Sequence, residues 1–61
     1  MTQPTPSEVL SARKAAKLTQ TQAAQLIYTT LRTWQRYEYG ELPFPPAEWE
    51  LFCIKTKNKL A

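Results

Sequence analysis

The chain has no histidine, a single cysteine (Cys53) and a single glycine (Gly40). Without histidine, the usual Cys/His zinc sets cannot be assembled. One cysteine cannot close an intramolecular disulfide, and a free thiol fits a reducing compartment. No apolar run approaches the ~20 residues that span a bilayer. The opening Met1-Thr2-Gln3-Pro4 has no charged side chain and is unlike a secretory signal, so the expected location is the cytoplasm. A Gly-rich phosphate loop and paired carboxylates in a plausible cleft are also lacking. An enzyme is therefore not expected, nor is a cofactor, metal or small-molecule ligand.

With 61 residues there is one domain at most, and so short a chain struggles to bury enough apolar surface alone. Since neither disulfide nor metal can staple it, self-association is the expected source of extra core. Eight basic residues against five acidic ones give a net charge of +3, which permits a nucleic-acid partner without establishing one.

Local signals divide the chain into four helices. Residues 1–5 read as a short flexible arm. Thr5-Pro6-Ser7-Glu8 combines a capping threonine, a proline suited to the first helical position and a glutamate that completes a capping box. A helix over 6–16 follows. Thr19-Gln20-Thr21-Gln22 repeats the box and opens a helix over 20–27. Thr30 is placed to cap a third helix over 31–39, and Gly40 stands where a helix C-terminus favours a left-handed residue. Leu42-Pro43-Phe44-Pro45-Pro46 is a stiff connector that can be neither helix interior nor central strand. Pro46 then starts a helix over 46–57 carrying Trp49, Phe52, Cys53 and Thr56 at helical spacing, with Leu51 and Ile54 as a second apolar edge. Lys55, Lys57 and Lys59 lie in and beyond its last turn. They complement its dipole and are read as a solvated tail. No window shows sustained period-two alternation, so the expected fold is all-α.

Two short helices joined by about three residues, the second bearing Arg, Thr and Gln, form the helix-turn-helix pattern. The words Leu18-Thr19-Gln20, Ala24, Ile27, Thr30, Trp34, Arg36, Tyr37, Glu38 and Gly40 fall in one ungapped register. In that register residues 7–41 resemble the Cro/repressor (Xre-type) helix-turn-helix family of phage and bacterial regulators. The Trp34-Gln35 pair and short tail are similar to compact phage regulators, including the kind associated with anti-CRISPR operons.

The resemblance implies a lambda-repressor-like DNA-binding domain that acts as a homodimeric transcriptional regulator on a palindromic operator, repressing by occlusion. The third helix would lie in the major groove with Thr30, Leu31, Arg32, Thr33 and Arg36 toward base edges. For Arg32 and Arg36 the alternatives are phosphate contact or pairing with glutamates. Backbone contacts would come from Lys14, Lys17, Thr19, Gln20 and Tyr39. At Thr19 and Gln20 plain capping uses the same residues, and Tyr39 can equally be a half-buried tyrosine. Gln20 sits where the family sometimes braces a side chain of the recognition helix. Arg13 and Glu38 match a pair that ties the first and third helices together. Trp34 and Tyr37 fall where apolar residues hold the recognition helix down.

The family usually has glycine where this chain has Tyr28, so either a steric cost or a different turn is expected there. Longer members carry two further helices, whose packing would fall to the connector and the fourth helix. These carry more large apolar residues than a small core should need, which makes Phe44, Trp49 and Phe52 the candidates for a dimer interface. In a second reading the chain is a protein-interaction module or antitoxin-like protein. Phe44, Trp49, Leu51, Phe52 and Ile54 would then face a different partner.

Overall fold

A computed structural model describes residues 3–56, which form four helices and no strand. They are α1 (Pro6–Ala15), α2 (Gln20–Leu26), α3 (Leu31–Tyr39) and α4 (Pro46–Thr56). Each start follows the capping chemistry legible in the sequence. Thr5 and Thr19 each accept from the N3 amide, and Glu8 and Gln22 return the bond to the cap amide. The Thr30 hydroxyl accepts from the Thr33 N–H at 3.1 Å. The Trp49 N–H donates to the Pro45 carbonyl at 3.0 Å, which places the start of α4 at Pro46. Residue 57, expected as the end of the fourth helix, lies outside the described residues, as does Lys59.

The helix ends are less ordinary. Leu18 N–H donates to the Arg13 carbonyl (3.2 Å) and Lys17 N–H to the Lys14 carbonyl (3.0 Å), the paired bonds of a Schellman motif. Thr29 N–H to Ala24 (3.0 Å) and Tyr28 N–H to Gln25 (3.2 Å) repeat it at the end of α2. The motif needs a left-handed residue, and here the two positions hold Lys17 (φ 60°) and Tyr28 (φ 59°). Only α3 ends on glycine, Gly40 at φ 78°. Tyr28 therefore keeps the left-handed turn and carries its steric cost.

A replacement at Lys17 tests that cost, since glycine removes a left-handed penalty of about 1–2 kcal/mol and returns part of it as unfolded-chain entropy. Lys17→Gly is expected to stabilise the fold by about 0.5–1 kcal/mol, read from the urea midpoint. A lower midpoint would mean that the lysine side chain makes a compensating contact.

Tyr28 is held from outside. Lys55 Nζ, on α4, donates to the Leu26 carbonyl and to Tyr28 Oη, both at 2.8 Å, and stands 4.0 Å from the tyrosine ring centroid. The ammonium thus meets a C-terminal carbonyl of α2 and a π face together. Contrary to the expected solvated tail, Lys55 clasps α4 to the turn before α3. The clasp also lowers the Tyr28 pKa, first through the hydrogen bond and then through the lysine charge.

The core is largely aromatic. Trp34 is fully buried, edge-on to Phe44 at 5.6 Å between centroids and tilted on Phe52 at 5.1 Å. Tyr37 stacks on Phe44 at 4.2 Å, and Trp49 stacks on Phe52 at 6.0 Å. Val9 of α1 and Ala23, Ala24 and Ile27 from α2 and its C-cap complete the cluster. Ala24, 1% exposed, allows α2 and α3 to approach closely.

These contacts correct the interface assignment. Phe44 and Phe52 are 2% and 0% exposed within a single chain, so neither can be offered to a partner. A core this small needs the connector and α4 to close it. Trp49 is half-buried, and the outward edge of α4 is Ile54 with part of Leu51. No helix among the described residues is long and apolar enough to cross a membrane.

Candidate nucleic-acid interface

Burial of Trp34 and Tyr37 fixes the roll of α3 and so decides which of its side chains face outward. Three and four residues along a helix share a face. With Trp34 and Tyr37 inward, Leu31, Arg32, Arg36 and Tyr39 are exposed, and Thr33 and Gln35 are half-exposed. Arg32, Gln35, Arg36 and Tyr39, with Glu41 beyond Gly40, line an open depression of about 230 Å³. Leu31 is 42% and Tyr39 62% exposed, so α3 presents both arginines between an aliphatic and an aromatic side chain.

Among the described residues the two arginines differ. Arg36 Nε stands 3.8 Å from Glu41 Oε1 in an exposed pair, whereas Arg32 has no ion-pair partner. An exposed pair of this kind holds a guanidinium weakly, with about 0–1 kcal/mol at stake, so Arg36 can still exchange its partner for another anion. Thr30 and Thr33 are joined hydroxyl to hydroxyl at 3.0 Å in addition to the cap bond.

Beneath this surface lies a polar hub. Glu38, its side chain 4% exposed, accepts from Arg13 Nε (2.5 Å), Gln20 Nε2 (2.9 Å) and Trp34 Nε1 (2.6 Å). Arg13 also donates to the Leu18 carbonyl at 3.0 Å. One carboxylate therefore ties α1, the start of α2 and α3 together. Burial pushes the Glu38 pKa up, but the bonds from Arg13, Gln20 and Trp34 and the arginine charge outweigh it, and the net shift is downward. Arg13 and Glu38 pair as the resemblance implied, and Gln20 braces an α3 side chain at the position where the family sometimes does so, while the indole donor is an addition of the fold.

The other expected contact residues are distributed unevenly. Lys14 is exposed in the last turn of α1, and Lys17 is exposed just past its end. The capping box occupies the Thr19 N–H, which donates to Gln22 Oε1 at 2.9 Å. Its hydroxyl is the only donor Thr19 still offers an anion. Gln20 turns its side chain inward, giving its amide N–H to Glu38 and accepting from Gln35 Nε2 at 3.3 Å.

In the sequence Gln35 figures in the Trp34-Gln35 pair but not among the expected contact residues. Its signal as a surface residue is its helical spacing, three from Arg32 and four from Leu31 and Tyr39. Compared with known families and curated sequences, the chain matches no protein-family model and shows no significant match to a curated protein.

Proposed function

We propose that this chain is a helix-turn-helix, lambda-repressor-like DNA-binding protein of the Cro/Xre kind, a phage-type transcriptional repressor that binds a palindromic operator as a homodimer. The observation that carries the reading is the outward face of α3. A helix pinned by two buried aromatic residues presents Leu31, Arg32, Arg36 and Tyr39 together, just after a capping Thr30 and a left-handed turn.

In this reading α2 braces α3, and α3 enters the major groove. Arg32 and Arg36 are suited to bidentate contact with guanine O6 and N7, and Leu31 to a thymine methyl. Lys14, Lys17 and Tyr39 supply phosphate contacts, which give affinity without sequence preference. A symmetric dimer places its half-sites about 34–36 Å apart. Its interface would use the Leu51–Ile54 edge of α4, with Trp49 at the border, since Ile54 is 66% exposed.

The same edge is what an antitoxin-like protein would turn toward a different protein. Sedimentation separates the two readings, because a dimer of this chain alone supports the first. Selection from a randomised duplex library at two salt concentrations tests the function. A palindromic motif that persists at the higher salt supports operator reading, and binding that vanishes with salt and enriches nothing overturns it. Arg32→Ala is expected to relax preference at one base position. Lys17→Ala should weaken all sequences alike and reduce the salt slope by about one. Equal, sequence-independent losses from both would overturn direct readout by Arg32.

A further inference from the structure

We propose that Glu41 is a specificity-determining residue that keeps the Arg36 guanidinium off DNA phosphates and so leaves it for a base edge; this rests on the DNA-binding reading. The placement begins with Gly40. Its left-handed backbone, at φ 78°, turns the chain back at the end of α3. The N–H groups of Gly40 and Glu41 both close on the Arg36 carbonyl, the second at 3.0 Å. Glu41 is thereby fixed beside the outward face of α3. It is the one acidic residue lining the depression that Arg32, Gln35, Arg36 and Tyr39 form. Its Oε1 stands 3.8 Å from Arg36 Nε, beyond hydrogen-bond distance, so it leaves the guanidinium donors available.

The two kinds of DNA partner open to Arg36 differ in charge. A phosphate brings a full negative charge into the depression, close to the Glu41 carboxylate. Salt screens little at that range, since the Debye length at physiological ionic strength is about 8 Å. Guanine O6 and N7 are neutral acceptors and meet no such repulsion. The exposed pair is weak enough to open, but the backbone bond keeps the carboxylate beside the depression when it does. Glu41 therefore opposes the contact that carries no sequence information and spares the one that does. Arg32 has no ion-pair partner among the described residues, so the effect belongs to Arg36.

The experiment compares the full chain with Glu41→Gln, Arg36→Ala, their double variant, Arg32→Ala and Glu50→Gln, each checked for folding by thermal melting. Glu50 is exposed on α4 and does not line the depression, so Glu50→Gln makes the same change of net charge elsewhere. Selection from a randomised duplex library gives the preference at each base position, and titration of one non-operator duplex gives the salt slope. In Glu41→Gln, Arg36 gains a phosphate. The slope should steepen by about one, so that affinity falls about 3.5-fold further than in the wild type between about 50 and 200 mM salt. Preference at one base position, about 5- to 150-fold for a bidentate contact, should drop toward indifference. That position should be the one Arg36→Ala loses and not the one Arg32→Ala loses. Neither change should appear when Glu41→Gln is added to Arg36→Ala.

If Glu41→Gln keeps the wild-type motif and slope, the role of Glu41 is overturned while operator reading stands. The same holds if its effects persist without Arg36 or are matched by Glu50→Gln, because net charge alone then accounts for them. A wild-type selection with no motif at all overturns the DNA-binding reading and this proposal together.

Discussion

Glu38→Ala is expected to cost about 3–5 kcal/mol, because it strands a partly buried guanidinium instead of removing a balanced pair. Arg13, 15% exposed at its side chain, would keep only the Leu18 carbonyl, and the Trp34 indole N–H would lose its acceptor inside the core. At ~0.05–0.15 kcal/mol per residue a chain of this length has only about 3–9 kcal/mol of stability, so the loss takes a large share of it and should appear as a sharply lowered urea midpoint. Arg36→Ala, which breaks the exposed pair with Glu41, is the internal comparison and should change stability by less than about 1 kcal/mol.

The same carboxylate gives the fold an acid limit. Its pKa in the folded chain lies below the ordinary 4.5, so on acidification the unfolded chain takes up its proton first. The stabilisation is complete above the ordinary value and drains as pH falls through it toward the lower folded value. Urea midpoints measured between about pH 6 and pH 3 should therefore fall more steeply for the wild type than for Glu38→Gln. Equal slopes would mean that the acid sensitivity arises at other carboxylates.

Much of this architecture is legible in the residue order because its signals are local. Thr5, Thr19 and Thr30 each sit three residues before the amide they cap, and Gly40 sits where the third helix must turn left-handed. What could not be read is what local spacing does not encode. Lys55 and Leu26 are 29 residues apart, and nothing in either neighbourhood marks them as partners. Lys17 carries no sign of its left-handed backbone, because a lysine is an ordinary residue near a helix end and the strain comes from the motif closing around it.

Phe44 misled for an energetic reason. Flanked by prolines in a connector, it read as surplus apolar surface. Yet a core centred on one tryptophan has room for it, edge-on at 5.6 Å. On the candidate surface, Arg32 and Arg36 stood out by charge and spacing. Gln35 did not, since an amide acquires a direction only from the Glu38–Gln20 chain that the fold assembles. The Trp34–Glu38 bond was the nearest to being legible, with four residues on one helix separating donor from acceptor.

Trp34→Ala carries the other large expected effect. Trp34 is fully buried and touches Tyr37, Phe44 and Phe52, so truncation removes the contact that joins α3 to both the connector and α4. The expected cost is about 3–5 kcal/mol, from lost burial and the cavity left behind. Trp34→Phe separates this packing from the indole hydrogen bond. Phenylalanine keeps a ring in the site, and Glu38 keeps Arg13 and Gln20 as donors, so no charge is stranded. Its cost should be nearer 1–3 kcal/mol, the range for losing one bond to a charged group. Thermal unfolding of the two variants decides between the contributions. A large gap means that the aromatic contacts set the stability of the fold and the roll of α3. If Trp34→Phe is as damaging as Trp34→Ala, the indole bond to Glu38 governs instead, and the polar hub fixes the outward face of α3.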